Sequence, residues 1–199
     1  MWDTNGVKIK ISLIRHGKTY ANEQKLYYGF SDIELSKDGI RELELLKNKV
    51  EYKKSNLFIT SGLKRTTQTL NILFGNVDYI IDEHFKEMNF GEFELKSYEQ
   101  LKNNKNYQNW ITDIEKNKVP NGESKEQFKN RVIKGFNNLI EHCIKNDIRD
   151  VAIVCHSGVI SIIMSYLFKE NKSFYDWLPT YGRGYAIFFK NKHKNYKQI

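Results

Sequence analysis

Short apolar runs and longer periodic segments alternate along the chain. The runs are rich in β-branched and aromatic side chains, which predicts buried strands. We place these strands at 7–14, 57–60, 77–82, 150–155 and 184–190. In the longer segments apolar residues recur every three or four positions, which predicts helices at 36–50, 63–74, 124–146 and 158–168. Because strands and helices alternate, we expect an α/β sheet covered on both faces.

The pattern loosens between residues 85 and 122, where Asn and Lys are abundant and only short stretches such as 107–117 have helical spacing. We interpret 85–122 as a lid-like insertion with short helical pieces. No repeat or linker divides the rest, so we predict a single domain over 1–199.

Composition supports a folded globule. With 199 residues, 40% of them hydrophobic, the chain can bury one core. No stretch approaches the roughly 20 apolar residues that cross a bilayer, and the N-terminus lacks the apolar core of a secretory signal. We therefore expect no membrane association and a cytoplasmic location. Cys143 and Cys155 belong to no metal-binding spacing and are expected to be reduced core residues.

A net charge of +8 raises the question of a polyanionic partner. The lysines, however, are scattered and form neither a block nor a basic helix face. A solvated surface is therefore the expectation, with no nucleic-acid partner, and a small anionic substrate stays compatible with the charge. No pattern indicates an oligomeric state.

Polar groups of one kind follow three predicted strands: Arg15 and His16, Ser61 and Arg65, and His156 and Ser157. In a mostly parallel sheet the carboxyl ends of strands lie on one edge, where ligands bind. Two imidazoles and two guanidiniums brought together repel one another unless an anion lies among them. The pattern therefore predicts a phosphate site.

Other interpretations were weighed for each motif. A single histidine at a strand end is more often a structural residue than a catalyst, and Gly122–Ser124 is most simply a helix cap. His84, His142 and His193 have no matching strand end and are expected on the surface. A zinc or iron site is disfavoured because guanidinium groups do not ligate metals and repel divalent cations. We predict neither a metal nor a cofactor.

Six ordered segments resemble the histidine phosphatase superfamily, the phosphoglycerate mutase-like proteins with an RHG signature. They are LIRHGKTYAN, YGFSDIELSKDG, SGLKRTTQT, EMNFGEFE, NGES and VCHSGVI. Their order and spacing along nearly the whole chain make chance agreement improbable. The resemblance implies an α/β fold with a central, mostly parallel sheet, and cofactor-independent phosphoryl transfer through a phosphohistidine.

The resemblance also implies roles for individual residues. His16 is similar to the family's nucleophile, and Glu87 to its proton donor. Catalytic roles therefore fall to His16, Glu87 and His156, and the phosphate ligands are Arg15, Asn22, Arg65 and His156. Further substrate contacts are expected from Tyr28, Gly29 and Ser157.

Physical chemistry adds detail to these roles. The second nitrogen of His16 should donate to backbone near Gly17, a glycine expected to allow a tight turn, so that one lone pair stays free. Partial burial should raise the pKa of Glu87. The helix that begins near Gly158 should add backbone N–H groups to the anion site.

The resemblance leaves hydrolysis and mutase activity to be separated. Mutases of the family have a lysine where this chain has Tyr98, and an arginine pair in the following insertion, whereas 85–122 contains no arginine. This favours a phosphatase, although Lys96, Lys102 and Lys105 keep a mutase open.

Among the phosphatases, the segments around 15–43 and 88–101 look most like the α-ribazole phosphatases of cobalamin nucleotide-loop assembly. Leu95 and Glu34 depart from the glycine and proline common there, at positions expected near the substrate mouth. The alternatives are a broad sugar or nucleotide phosphatase and a non-catalytic domain that binds a phospho-ligand or nucleic acid. An apolar wall for a nucleoside-like leaving group is expected from Tyr20, Tyr27, Tyr28, Phe30 and Phe93.

Overall fold

A computed structural model describes residue 6 and residues 8–199 of the chain, so Val7 of the first predicted strand lies outside the described residues. A six-stranded sheet forms the centre of the fold, in the order β4-β3-β6-β1-β7-β8. β1 and β3 both pair in parallel with β6, and β4 pairs in parallel with β3. β7 and β8 continue the sheet antiparallel beyond β1. The sheet is therefore mostly parallel, as predicted.

The strands are β1 Lys8–Arg15, β2 Leu26–Tyr27, β3 Leu57–Thr60, β4 Ile80–Ile81, β5 Lys96–Ser97, β6 Asp150–Cys155, β7 Gly184–Lys190 and β8 His193–Gln198. The helices are α1 Tyr20–Glu23, α2 Lys37–Lys47, α3 Lys64–Phe74, α4 Tyr98–Leu101, α5 Lys105–Thr112, α6 Lys125–Lys145 and α7 Ser157–Leu167. Three 3₁₀ turns lie at Glu83–Phe85, Gly91–Phe93 and Phe174–Trp177.

Alternate side chains of the central strands point to two separate cores, because successive residues of a strand face opposite sides. Leu13 of β1 belongs to the larger core, which α6 and α7 cover with residues such as Phe136 and Ile163. Ile14, its neighbour, belongs to the smaller core, where Leu43 of α2 and Leu70 of α3 pack. Helices thus cover both faces of the sheet, which confirms the predicted fold class.

Two edges of the sheet differ from the prediction. The predicted strand 77–82 shortens to Ile80–Ile81, whose side chains are exposed at the end of the sheet. An unpredicted strand, His193–Gln198, pairs with β7 at the other end. Its sequence is polar and mostly exposed, so it lacks the apolar run by which buried strands are recognised.

The segment 85–122 contains short elements, as expected of it: two 3₁₀ turns at or near its start, β5, α4 and α5. β5 pairs antiparallel with β2, Leu26 opposite Ser97, and so attaches the segment to the chain that follows β1. That 85–122 is a lid within a single domain stays a prediction. In the described residues, no helix is long and apolar enough to cross a membrane.

Candidate active site

The carboxyl ends of three parallel strands bring the predicted residues together. Arg15, the last residue of β1, lies opposite Cys155, the last residue of β6, and the His16 N–H donates to the Cys155 carbonyl at 3.0 Å. His156 then caps the N-terminus of α7. Arg65 follows β3 as the second residue of α3. Three segments distant in sequence therefore end at one edge of the sheet.

A cavity of about 450 Å³ opens at this edge. Eight of the nine residues predicted for the site line it: Arg15, His16, Asn22, Tyr28, Arg65, Glu87, His156 and Ser157. Gly29 is not among the lining residues. Its N–H donates to the Glu94 carboxylate and its carbonyl accepts from Arg65, so it contacts the site only through another side chain.

His16 is held as a neutral imidazole with a defined tautomer. Its Nδ1 lies 2.6 Å from the Gly17 carbonyl, which can only accept, so Nδ1 carries the proton. Nε2 therefore keeps its lone pair. Burial lowers the pKa of His16 well below its ordinary value, and the nearby Arg65 and Arg15 lower it further. A neutral ring with a free Nε2 lone pair is what a nucleophilic histidine requires.

Gly17 is needed for packing. The prediction that it allows a tight turn is wrong, because the chain forms no turn at 16–18. Gly17 does not have a positive φ. A Cβ on it would come within 2.5 Å of Leu43 Cδ1, so the missing side chain lets α2 pack against the strand end that bears His16.

A chain of hydroxyl groups sets the tautomer of His156. The Thr66 hydroxyl donates to the Leu63 carbonyl at 2.7 Å, so the Ser61 hydroxyl must donate its own proton to Thr66 at 3.1 Å. Ser61 then accepts from His156 Nε2 at 2.9 Å. His156 Nδ1 is buried and has no hydrogen-bond partner in the described part of the chain. Its hydrogen-bonding capacity is therefore not used by the described protein groups.

Two guanidinium groups are fixed beside the histidines. Arg15 donates through one terminal nitrogen to the Pro179 carbonyl at 2.8 Å and lies 4.1 Å from the centre of the Tyr181 ring. Arg65 is fully buried and lies 4.8 Å from the Tyr28 ring. Both Nε atoms are buried without a hydrogen-bond partner among the described residues. Buried donors of this kind are costly unless an acceptor binds them, and an oxyanion fits that requirement.

Asn22 lines the cavity, and only the nitrogen of its side-chain amide is free to bind a ligand there. Its Oδ1 accepts from the Thr19 N–H at 3.0 Å and from the Tyr28 hydroxyl at 2.8 Å. Because the carbonyl oxygen is occupied, Nδ2 is the group that can contact a substrate. That orientation suits a residue that donates a hydrogen bond to a phosphate oxygen.

Glu87 also lines the cavity, and its carboxyl accepts from two backbone groups, Met88 N–H and Gly158 N–H, each at 3.0 Å. Burial raises the pKa of Glu87, and these two hydrogen bonds oppose the rise. The expectation for Gly158 needs correction, because its N–H holds Glu87 and is not left for an external anion. A Cβ on Gly158 would lie 2.4 Å from Glu87 Oε1, so only glycine allows this approach.

The organic part of a substrate would meet an apolar wall. Of the five aromatic residues predicted for it, Tyr27 and Tyr28 line the cavity, whereas Phe93 is buried in the core and Tyr20 and Phe30 lie outside the lining. The wall is built mainly from residues that the sequence did not single out: Phe90, Trp110, Ile111, Ile114, Phe128, Phe174, Tyr175 and Leu178. They come from four separate segments, so no local spacing could have indicated them.

Three positions used to compare activities lie outside the cavity lining. Leu95 and Glu34 were expected near the substrate mouth, but Glu34 pairs with Lys64 on the surface at 3.2 Å and Leu95 bonds to Tyr27 through its backbone. Tyr98 packs against Tyr107 at 6.2 Å between ring centres. The departures at 34 and 95 therefore do not shape the cavity directly.

Comparison with known proteins agrees with this geometry. Residues 11–188 match the histidine phosphatase superfamily (branch 1). The adenosylcobalamin/alpha-ribazole phosphatase of Salmonella typhimurium is 30% identical over 80% of this chain and 79% of its own length. A protein of Hydrogenobacter thermophilus named for phosphoserine phosphatase is 28% identical over 79% of this chain and 78% of its own.

The crystal structure of the alpha-ribazole phosphatase from Shigella flexneri is similar in fold, with a TM-score of 0.86 at 26% identity and coverage of 96% of both chains. Family, motifs and fold therefore agree. This chain is an enzyme of the histidine phosphatase superfamily.

Proposed function

We propose that the chain hydrolyses phosphomonoesters through a phosphohistidine on His16. The observation that carries this proposal is a neutral, buried His16 with a free Nε2 lone pair beside two guanidiniums whose Nε donors are unpaired. Phosphoryl transfer depends mainly on positioning and on stabilising the charge of the equatorial oxygens. Arg15 and Arg65 supply that stabilisation, and His156 adds to it only when its free Nδ1 carries a proton, because its Nε2–H is already donated to Ser61.

In the first step His16 Nε2 forms a bond to phosphorus while the bond from phosphorus to the ester oxygen breaks. The Glu87 carboxyl gives its proton to the leaving oxygen, which departs as an alcohol. In the second step the Glu87 carboxylate takes a proton from water, whose oxygen attacks the phosphohistidine. Orthophosphate leaves, and His16 and protonated Glu87 are restored.

The first prediction concerns His16. We expect wild-type protein to hydrolyse p-nitrophenyl phosphate equally with and without EDTA, and His16→Ala to lose at least about a thousandfold in kcat/KM because the nucleophile is gone. Brief incubation with radiolabelled substrate should leave an acid-labile, base-stable label on the wild type alone. Full activity of His16→Ala would refute the mechanism, and a chain that binds phosphate without labelling or turnover would be a binding domain instead.

We further propose that the substrate is α-ribazole 5′-phosphate. The names of two similar proteins support this choice, as does a cavity with an aromatic and aliphatic wall, which suits a flat apolar leaving group. A panel containing α-ribazole 5′-phosphate, phosphoserine, sugar phosphates and nucleotides tests it. We expect kcat/KM to be at least about tenfold higher for α-ribazole 5′-phosphate. Similar values across the panel would favour the broad-specificity alternative.

A phosphoglycerate mutase is the second candidate. The positions and pairing of the lysines near the cavity disfavour it. A mutase must hold a second acidic group of its substrate. Lys96 donates to the Glu92 carbonyl and Lys102 to the Glu99 carboxylate, and neither lines the cavity. Lys125 does line it, in an ion pair with Glu115. Conversion of 3-phosphoglycerate faster than phosphate release, in the presence of 2,3-bisphosphoglycerate, would overturn hydrolysis as the main activity.

A further inference from the structure

The carboxylate of Glu94 is the centre of a network that no catalytic role explains. It accepts hydrogen bonds from three successive backbone N–H groups, those of Gly29, Phe30 and Ser31, at 2.9 to 3.1 Å. The Ser31 hydroxyl donates to it at 2.6 Å, and the Phe90 N–H at 3.0 Å. Successive N–H groups that converge in this way form an anion-binding concavity, which here is filled by a side chain of the same protein.

The other side of the same turn holds Arg65. The Gly29 and Ser31 carbonyls accept from its two terminal nitrogens at 2.6 and 2.8 Å. The Phe30 N–H that donates to Glu94 and the Gly29 carbonyl that accepts from Arg65 belong to one planar peptide group, so they point in opposite directions. The carboxylate on one side of the turn therefore sets the direction of the Gly29 carbonyl, which orients the guanidinium on the other side.

Close packing restricts the conformation of the 29–31 turn. A Cβ on Gly29 would lie 1.6 Å from the Met88 carbonyl, so the turn lies directly on the segment that bears Glu87. Arg65 is fully buried and lines the cavity, and its Nε donor has no partner among the described residues. A small rotation of its guanidinium would misplace that donor, because hydrogen bonds weaken steeply with angle.

We propose that Glu94 is a positioning residue, which orients Arg65 for phosphate through the 29–31 turn. The inference rests on the phosphate site proposed above. It adds that the clamp on the transferred group and the loop that carries the proton donor are set by one carboxylate, since Phe90 and the 29–31 turn share it.

A double-mutant cycle on orthovanadate binding tests the proposal without requiring turnover. Glu94→Gln keeps the shape of the side chain but places an amide N–H₂ among donors, so we expect vanadate to bind about tenfold more weakly. In the Arg65→Met background the same change should alter affinity less than about twofold, because its target is absent. Isothermal titration calorimetry supplies the dissociation constants.

Glu92→Gln is the matched control, because Glu92 is exposed on the same loop and its carboxylate contacts Asn121 only in the described structure. It should leave vanadate binding unchanged. If Glu94→Gln does not fold, Ser31→Ala removes one hydroxyl contact to Glu94 and should weaken binding about threefold, again only where Arg65 is present.

Equal losses in both backgrounds would show a general structural effect and overturn the proposal, as would unchanged binding in Glu94→Gln or no vanadate binding by the wild type. Failure of hydrolysis is a separate result. A wild-type chain that binds vanadate but hydrolyses no ester would refute the proposed reaction, and the cycle would still decide the role of Glu94.

Discussion

At the scale of single residues, the two histidines of the cavity are held by opposite nitrogens. His16 donates from Nδ1 to its neighbour's carbonyl, and His156 donates from Nε2 to a hydroxyl chain. Their rings lie 5.1 Å apart between centres, and each leaves one nitrogen unbonded by these partners. The two histidines thus keep different nitrogens free, Nε2 in His16 and Nδ1 in His156.

The pH dependence of the reaction follows from His16 and Glu87. His16 must be neutral, and its pKa is lowered well below 6.5 by burial and by the two arginines. Glu87 must be protonated, and burial raises its pKa. We expect kcat/KM for an alkyl ester such as glycerol 2-phosphate to stay high as the pH falls below 6.5, and to decline as the pH rises through the raised pKa of Glu87.

Glu87→Gln provides the check on this assignment. The variant should lose about a hundredfold or more in kcat/KM with glycerol 2-phosphate and much less with p-nitrophenyl phosphate, whose leaving group needs little protonation. Its profile should lack the alkaline decline. A decline that persists in Glu87→Gln would assign the titration to another group.

The backbone of Leu95 is conformationally strained. It adopts φ +59°, in the left-handed region that a leucine rarely enters, and it is 39% exposed. Glycine, the residue that the family resemblance implies at this position, adopts such a φ without strain. We predict that Leu95→Gly raises the free energy of unfolding by about 0.5–1 kcal/mol, measured by urea denaturation, since strain is relieved and little packing is lost.

Leu45→Gly is the matched control for that prediction. Leu45 is similarly exposed, at 56%, but lies inside α2 with ordinary helical geometry. The same substitution there should destabilise the protein by about 1 kcal/mol. Destabilisation at both positions would contradict the strain argument.

At the scale of elements, one arginine joins α6 to the loop that bears Glu87, the proposed proton donor. Arg131 donates to the carbonyls of His84, Lys86 and Glu87 at 2.9 to 3.0 Å. Its Nε and one terminal nitrogen, Nη2, also donate to the two carboxylate oxygens of Glu123, each at 2.8 Å. The pair is mostly buried, at 19% and 16% side-chain exposure. The loop before the catalytic carboxyl is therefore anchored to a long helix.

We predict that Arg131→Met lowers the free energy of unfolding by about 3 kcal/mol, because it removes the charged partner of the Glu123 carboxylate, which keeps only the Asn89 N–H, and the side-chain donor to the carbonyls of the loop. Thermal or urea denaturation measures the effect. Arg149→Met is the control, since the Arg149 pair with Asp147 is largely exposed at 63% and 61%, and the change should have almost no effect. Equal stability of both variants would show that the anchor is unimportant.

At the scale of the whole molecule, strand order places the chemistry. β6 lies between β1 and β3, so the three strand ends that precede His156, His16 and Arg65 are neighbours on one edge of the sheet. Adjacent strands lie about 4.8 Å apart, which sets the width of a site that can surround one phosphate. The positive charge of this site comes from two arginines fixed by the backbone, and the scattered lysines that make the net charge +8 mostly lie elsewhere.

Much of this arrangement was predictable because its causes are local or periodic. The strand that ends at Arg15 is an apolar run, and α6 shows its apolar positions and its cap at Ser124 directly in the sequence. The exposed strand β8 was not predictable, since a polar edge strand is defined by its pairing with β7 and not by burial. The sequence predicted a substrate contact for Gly29, but in the structure this residue lies against Met88 and Glu94. That proximity depends on tertiary packing, so the sequence could not show it.

By itself, the sequence determined the class of fold, the order of the motifs and the polar residues that follow three strand ends, such as Arg15, His16 and His156. Those features depend on hydrophobic periodicity and on side chains that follow strand ends, whereas Asn22 and Glu87 were predicted from the family resemblance. Only the tertiary structure decided the aromatic wall, the tautomers of the two histidines, and the networks around Glu94 and Arg131. Each of these joins groups separated by tens of residues, and a hydrogen bond or ring contact between such groups exists only once the chain has folded.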